Sequence, residues 1–150
     1  MRILVQKSLK SSVSVDNKVV GKIDYGLVLF VGFTYGDNSE IIDYMVNKVI
    51  NLRIFEDKND VMNLSVLDVG GQILSISQFT LYGDAKKGNR PSYVHALKSD
   101  EASKLYSEFN NKLMKHIDVN IGVFGATMEV NIVNSGPTTI LLERGLYDKK

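Results

Sequence analysis

The sequence predicts one α+β domain, spanning residues 1–150, in which two long amphipathic helices pack against a curved, largely antiparallel sheet or barrel. A chain of 150 residues has the length of about one domain. Many short β-forming runs are separated by turn residues, and only two segments repeat apolar residues at helical spacing. Strands and helices do not alternate regularly, which favours an α+β fold over a parallel α/β fold.

The first part of the chain has the pattern of strands. Residues 2–6 are rich in β-branched side chains, and two further β-forming runs, 12–15 and 18–23, flank Asp16 and Asn17. An Asp-Asn pair suits the tight turn of a β-hairpin. We therefore predict a first strand followed by a hairpin.

A central strand and the first helix are predicted next. Residues 27–33 form a continuous apolar run, which is typical of a strand covered on both faces. Asp37, followed three residues later by Glu40, resembles a capping box at the start of a helix. Apolar side chains then recur at helical spacing as far as Leu52, so the helix is predicted to end there.

The second half of the chain predicts a buried strand over residues 72–81 and a long amphipathic helix over about 100–116. A proline opens the segment 91–97, which is expected to form a short helix. Residues 119–133 have the pattern of one long or bulged strand, and 139–143 that of the last strand.

The composition argues against several classes of function. The chain has no cysteine, so it can form neither a disulfide nor a cysteine-ligated metal site. Neither of its two histidines, His95 and His116, lies in an H-E-x-x-H pattern, so we expect no metal and no other cofactor. A formal net charge of +1 gives no broad basic field, so we expect no DNA binding and only local contacts with RNA.

The hydropathy pattern predicts a cytoplasmic protein with no membrane partner. No apolar run approaches the roughly 18–20 residues that a membrane-spanning helix needs. The apolar run at the start of the chain has three residues, which is too short for the core of a signal peptide.

Two stretches carry unusual residues where plain strands are expected. The first, 73–81, begins as a buried strand and ends with Ser77, Gln78 and Thr80. The second, 134–139, contains a Gly-Pro pair, and because proline has no N–H, the carbonyls around it are free to bind something other than a neighbouring strand. Taken singly, each stretch would be an ordinary strand end or turn. Together they are predicted to form one site.

Both stretches match motifs of a known family. The segments 77–80 (Ser-Gln-Phe-Thr) and 134–139 (Asn-Ser-Gly-Pro-Thr-Thr) resemble the S-Q-x-T and N-x-G-P-x-T motifs of D-aminoacyl-tRNA deacylase, the D-Tyr-tRNA deacylase family. The similarity runs along almost the whole chain and includes residues 52–55, 62–66, 68–71, 87–92 and 122–126.

The resemblance implies an enzyme that hydrolyses the ester bond of D-aminoacyl-tRNA, and of glycine mischarged on tRNA(Ala), while L-aminoacyl-tRNA is left intact. It implies no metal and a homodimer with active sites at the interface. In the family, a cis Gly-Pro peptide reaches into the partner's pocket, where its carbonyls hold the substrate's α-ammonium. By resemblance, Gly136 and Pro137 would select the chirality of the substrate.

The same resemblance assigns roles to further residues. The implied catalytic set is Ser77, Gln78, Phe79 and Thr80. The implied substrate-binding set is Gly136, Pro137, Phe124 and Met128. Contacts with tRNA are expected from the cationic loop residues Lys86, Lys87 and Arg90, although such a cluster is often only solvated.

Three groups are candidates for driving the hydrolysis: the Thr80 hydroxyl, backbone N–H donors around Phe79 and Thr80, and the 2′-hydroxyl of the substrate. A threonine nucleophile needs an adjacent base, and neither histidine belongs to a matching motif. We therefore prefer positioning of a water molecule over covalent catalysis, with the backbone N–H groups stabilising the oxyanion.

Two alternative functions are a catalytically idle protein that binds the 3′ end of tRNA, and an L-aminoacyl-tRNA editing domain of the same fold. The unaltered Ser-Gln-Phe-Thr motif and the free-standing length of the chain argue against the editing domain.

Overall fold

A computed structural model describes residues 1–148 of the chain. In chain order the strands are β1 Arg2–Ser8, β2 Ser11–Val15, β3 Lys18–Ile23, β4 Gly26–Gly32, β5 Phe55–Glu56, β6 Met62–Leu64, β7 Gln72–Ser77, β8 Val119–Ile121, β9 Glu129–Asn131 and β10 Asn134–Glu143. Helix α1 spans Ser39–Asn51, helix α2 spans Ser99–Met114, and a 3-10 turn spans Phe79–Tyr82. None of the helices in this part of the chain is long and apolar enough to cross a membrane.

The central sheet has five strands in the order β10-β1-β4-β7-β8. Strand β1 pairs antiparallel with β10 and β4, whereas β7 runs parallel to β4 and β8. Parallel neighbours need a crossover connection, and α1 and α2 supply the two crossovers. The other strand pairs are antiparallel. The predicted α+β class with two long helices is therefore confirmed.

The central strands are buried from both sides. One face packs against α1 and α2 through a core that includes Leu29 and Phe109. The other face packs against a three-stranded sheet of order β3-β2-β9 through Val13, Val28 and Leu74. Two-sided burial explains why β4 is a continuous apolar run, as the sequence predicted.

The predicted hairpin is also confirmed. Asp16 and Asn17 connect β2 to β3 and have φ angles of 49° and 63°. Positive φ at both central residues is the geometry of a type I′ turn, whose twist matches that of the two strands. Asp and Asn tolerate this conformation better than most residues other than glycine.

Helix α1 begins one residue later than the capping-box pattern predicts. Asn38 is its N-cap, and the Asn38 side chain accepts a hydrogen bond of 3.0 Å from the Ile41 N–H. The Asp37 carboxylate instead accepts from the Met1 ammonium at 2.7 Å and from the Thr34 N–H at 2.8 Å. Because the pair is buried, desolvation lowers the pKa of the ammonium and raises the pKa of Asp37.

Three segments differ from their predicted structure. The strand predicted over residues 72–81 ends at Ser77, because the chain turns into a 3-10 helix over Phe79–Tyr82. Residues 91–97 form turns and isolated bridges instead of a short helix. Residues 119–133 do not form one strand, because β8 belongs to the central sheet and β9 to the three-stranded sheet. The loop 122–128 between them contains Gly125, whose φ of 77° favours glycine. This loop covers one side of a cavity at the end of β7.

Candidate active site

The candidate site lies where β7 ends. The Gln78 N–H donates a 2.8 Å hydrogen bond to the Val31 carbonyl, and the chain then enters the 3-10 turn. Gln78 is the N-cap of this turn, but its side chain makes no capping hydrogen bond. The first N–H groups of a helical turn have no acceptor within the turn. The N–H groups of Phe79 and Thr80 are therefore available to a ligand.

A cavity of about 520 Å³ lies beside this strand end. It is bounded by the ends of β4 and β7, the start of α2 and the loop 122–128, and most of its lining is aliphatic or aromatic. The predicted site residues that line it are Ser77, Gln78, Phe79, Phe124 and Met128. Its size and apolar character are typical of a pocket for a small ligand.

Thr80 is placed differently from its neighbours in the motif. It does not line the cavity, and its side chain is exposed. Within residues 1–148, no basic side chain hydrogen-bonds the Thr80 hydroxyl, and His95 pairs instead with the Tyr147 hydroxyl at 3.0 Å. A base adjacent to Thr80, which covalent catalysis would need, is thus not found in this part of the chain.

Tyr106 supports the end of β7 from α2. Its hydroxyl donates a 2.8 Å hydrogen bond to the Ser75 carbonyl, and its ring lies 5.9 Å from the ring of Phe124. Burial raises the pKa of Tyr106, so the hydroxyl stays protonated and remains a donor. Tyr106 was not predicted as a site residue, since helical spacing identifies a buried tyrosine but not the carbonyl that it binds.

Arg2 holds the 3-10 turn from the other side. Its guanidinium donates a 2.8 Å hydrogen bond to the Leu81 carbonyl and lies 4.5 Å from the centre of the Tyr82 ring. The Arg2 Nε also pairs with Glu143 at 3.0 Å. The contacts of Arg2 with the turn were not predicted either, because they join residues far apart in the chain.

Gly136 and Pro137 lie in a bulge at the edge of the central sheet. On β10, Asn134 pairs with Ser8 of β1 and Thr139 pairs with Gln6, so residues 135–138 lie opposite a single residue. The Gly136–Pro137 peptide is cis, and both residues are exposed. The extra residues therefore project from the sheet edge.

The bulge is braced by two side chains. The Asn134 side-chain amide donates to the carbonyls of Lys7 at 2.9 Å and Thr138 at 3.0 Å. The Thr139 hydroxyl donates to the Pro137 carbonyl at 3.1 Å. The main chain of the bulge is thus held in place by groups of its own strand and of β1.

Within one chain, the two motifs do not meet. Ser77 is level with Leu142 across the sheet, and it lies three strands away from Pro137 and nearer the other end of the sheet. At about 3.3 Å per residue along a strand and about 4.8 Å between strands, Ser77 and Pro137 are roughly 20 Å apart. The bulge therefore cannot close the cavity of its own chain.

The three predicted RNA-contact cations share one exposed loop. Lys86, Lys87 and Arg90 lie between Asp84 and Ser92, whose backbones bond each other twice at 2.8 Å. None of the three forms an ion pair with any residue from 1 to 148. The loop leads back to the lip of the cavity, because the next residue is Tyr93, whose ring lies 5.1 Å from that of Phe79.

The fold and the site define an α+β protein with an apolar pocket, a 3-10 turn beside it whose first N–H groups have no acceptor within the turn, and a basic loop. This combination suits a ligand in which a compact group, bound by the pocket, is attached to a polyanion that contacts the basic loop. Residues 4–143 match the family described as D-Tyr-tRNA(Tyr) deacylase. The chain belongs to this family. It is a hydrolase that acts on the ester bond of D-aminoacyl-tRNA.

Curated relatives of the chain carry the name of this family, and two solved structures share its fold. D-aminoacyl-tRNA deacylases of Bacillus cytotoxicus and Brevibacillus brevis are 51% and 50% identical over 144 residues, which is 95% of this chain and 99% of each relative. A solved structure described as c-Myc DNA Unwinding Element Binding Protein has a TM-score of 0.92 at 35% identity, covering 97% of this chain and 100% of that one. A probable eukaryotic D-amino acid tRNA deacylase, 18% identical with a TM-score of 0.78 over 94% of this chain and 97% of that one, shares the fold.

Proposed function

We propose that the chain works as a homodimer that releases D-amino acids from tRNA and glycine from mischarged tRNA(Ala), and that it rejects L-aminoacyl-tRNA. Aminoacyl-tRNA is the substrate of translation, so we place this activity in the cytoplasm. The observation that carries the proposal is the exposed Gly136–Pro137 bulge, which is braced within its own chain and roughly 20 Å from the cavity of that chain.

A second copy of the chain would supply the bulge that each cavity cannot receive from its own chain. The bulge projects from β10, an edge strand of the central sheet. Edge strands are accessible to contact by another chain. In a two-fold dimer each subunit gives the same surface to the other, so each bulge would enter the partner's cavity. Each active site would then combine Ser77 and Gln78 of one subunit with Gly136 and Pro137 of the partner subunit.

Chirality would be selected by shape. If carbonyls of the bulge hold the α-ammonium and N–H donors hold the ester carbonyl, L and D substrates differ only in where the side chain points. If main chain occupies the space into which the side chain of an L-amino acid would point, every L-amino acid is excluded. Glycine is accepted, because it has no side chain. The proposal therefore couples the rejection of L-amino acids to the acceptance of glycine.

For the chemistry, we assign the developing oxyanion to the free N–H groups of Phe79 and Thr80. Removing one such donor has cost about 2.7–4 kcal/mol in other hydrolases. The attacking group would be water, positioned by the substrate's 2′-hydroxyl or by polar side chains such as Ser77 and Gln78. Phe124 and Met128 would hold the terminal adenosine, since both line the apolar part of the cavity.

The release of amino acid from three charged tRNAs tests this proposal. D-Tyr-tRNA and Gly-tRNA(Ala) should be hydrolysed and L-Tyr-tRNA left intact, as measured by loss of the labelled ester under conditions where spontaneous hydrolysis is subtracted. Hydrolysis of L-Tyr-tRNA would favour the alternative of an L-aminoacyl-tRNA editing domain. Binding of all three without turnover would favour an idle 3′-end binding protein.

We further propose that Lys86, Lys87 and Arg90 contact tRNA phosphates. The double charge reversal Lys86→Glu/Lys87→Glu should weaken tRNA binding and reduce the slope of log K against log salt by about 0.7–0.9 for each phosphate that the variant no longer neutralises. Titrations at several salt concentrations measure both effects.

The matched control for this prediction is Lys18→Glu/Lys22→Glu, which makes the same change in net charge at two exposed residues of β3. This control should leave the salt slope unchanged. Equal effects of the two double variants would show that only the overall charge matters, and the loop would then have no specific role.

A further inference from the structure

Two exposed aromatic rings form one lip of the cavity. Phe79 and Tyr93 are 55% and 41% exposed, and their rings meet edge to face with centroids 5.1 Å apart. Phe79 also lines the cavity. Neither ring is needed for the hydrophobic core, so their packing against each other at the entrance calls for another explanation.

The position of Tyr93 is set by its surroundings. Its ring approaches Gly83 so closely that a Cβ added there would lie 3.0 Å from Tyr93 Cε1. The Tyr93 carbonyl accepts a 3.0 Å hydrogen bond from Ala96, and the preceding residue, Ser92, closes the cationic loop. The Tyr93 ring thus packs against Gly83, which has no side chain to keep the ring away from the lip.

The charges beside the pair indicate what it binds. Lys86, Lys87 and Arg90 stand in the loop that ends at Tyr93, and they form no ion pair within residues 1–148. Exposed aromatic rings beside a cationic track are the recurring arrangement for single-stranded nucleic acid, in which bases stack on the rings and the backbone follows the cations.

We propose that Phe79 and Tyr93 form a stacking subsite for the nucleobase that precedes the terminal adenosine of the substrate. This inference rests on the proposed function, which places the aminoacylated adenosine inside the cavity. The 3′ end of tRNA is single-stranded, so the next base leaves the cavity at its lip, where the two rings lie. The backbone then continues towards the cationic loop. Stacking does not depend on base identity, so the subsite suits a 3′ end that all tRNAs share.

Substrates of different length isolate this subsite. D-tyrosine esters of adenosine, of the dinucleotide CpA and of full tRNA would be compared with wild type, Tyr93→Leu and Tyr93→Phe. For Tyr93→Leu, the KM for the dinucleotide ester and for tRNA should rise about tenfold, the effect of losing one stacked base, with kcat unchanged. The KM for the adenosine ester should not change. Tyr93→Phe should behave as wild type, since it keeps the ring.

Tyr44→Leu is the matched control. Tyr44 is 38% exposed but lies on α1, where its ring contacts Arg144 instead of the cavity. It should leave all three KM values unchanged. An equal rise in KM for the adenosine ester in Tyr93→Leu would show that Tyr93 only supports Phe79 and would overturn the subsite, as would an unchanged KM for all three esters.

A binding measurement separates this inference from the proposed function. The trinucleotide CpCpA, labelled at its 5′ end and carrying no amino acid, should bind to Tyr93→Leu about tenfold more weakly than it binds to the wild type. Fluorescence anisotropy measures both affinities. If wild type hydrolysed none of the esters, the proposed function would fail, but this measurement would still decide the subsite. Equal affinities of CpCpA for wild type and Tyr93→Leu would exclude it.

Discussion

Replacing Gly136 with alanine is expected to lower kcat/KM for D-Tyr-tRNA by about 100-fold. The φ of Gly136 is +115°, and an added Cβ would lie 2.5 Å from the Thr138 hydroxyl and 2.7 Å from the Thr138 nitrogen. Alanine therefore forces the bulge to move. A shift of about 1 Å in a group that positions a substrate can cost about 100-fold in rate. Discrimination against L-Tyr-tRNA should weaken as well, because the displaced main chain no longer fills the L direction.

Gly70→Ala is the control for backbone strain. Gly70 also has a positive φ, +65°, but nothing lies within 4 Å of an added Cβ. We expect a loss of stability of about 1 kcal/mol and unchanged kinetics. If Gly136→Ala kept the wild-type rate and selectivity while Gly70→Ala behaved as expected, Gly136 would have no part in the active site.

Gly32→Ala is expected to have the second largest effect, a fall in kcat of about 10- to 100-fold with little change in KM. Gly32 lines the cavity, and an added Cβ would lie 2.9 Å from the Gln78 carbonyl oxygen and 3.2 Å from Leu81 Cβ. Since the first of these atoms belongs to the backbone, the turn that carries the N–H donors of Phe79 and Thr80 must shift. Donors that serve mainly the transition state affect kcat more than KM.

The control for Gly32→Ala is Gly71→Ala. Gly71 directly precedes β7, whereas Gln78 directly follows it, so the two residues lie at opposite ends of this strand. A Cβ added at Gly71 would lie 2.9 Å from Val66 Cγ2. The two variants should lose comparable stability in thermal unfolding, but only Gly32→Ala should lose activity. An unchanged kcat in folded Gly32→Ala would argue against the assignment of the oxyanion to this turn.

Much of the fold could be predicted from local pattern. The Asp16-Asn17 hairpin and the continuous apolar β4 follow from turn chemistry and two-sided burial. The start of α1 was predicted one residue early, because Asp37 fits a capping pattern but is engaged by the Met1 ammonium. That contact joins the start of the chain to a loop, and no local pattern contains it.

The candidate site was predicted only in part, again because several of its contacts join residues far apart in the chain. The motif at 77–80 identified the strand end, but its relation to Tyr106 and Arg2 depends on how α2 and β1 pack. β-branched residues occur at both ends of the segment 119–133 and small residues in its middle, and strand propensity does not specify which sheet each end joins. The separation of the Gly-Pro bulge from the cavity of its own chain follows only from the strand order.

The most direct test of the account uses a heterodimer of Gly136→Ala and Gly32→Ala subunits. The two subunits would be co-expressed with different tags and isolated by tandem purification. The tags belong at the C-terminus, because the Met1 ammonium is buried against Asp37.

If each active site combines a cavity from one subunit with a bulge from the other, one of the two sites in this heterodimer has both parts intact. The heterodimer should then hydrolyse D-Tyr-tRNA at about half the wild-type rate, far above either homodimeric variant. Activity no higher than that of the two variants alone would show that cavity and bulge do not act across the interface, and would contradict the account.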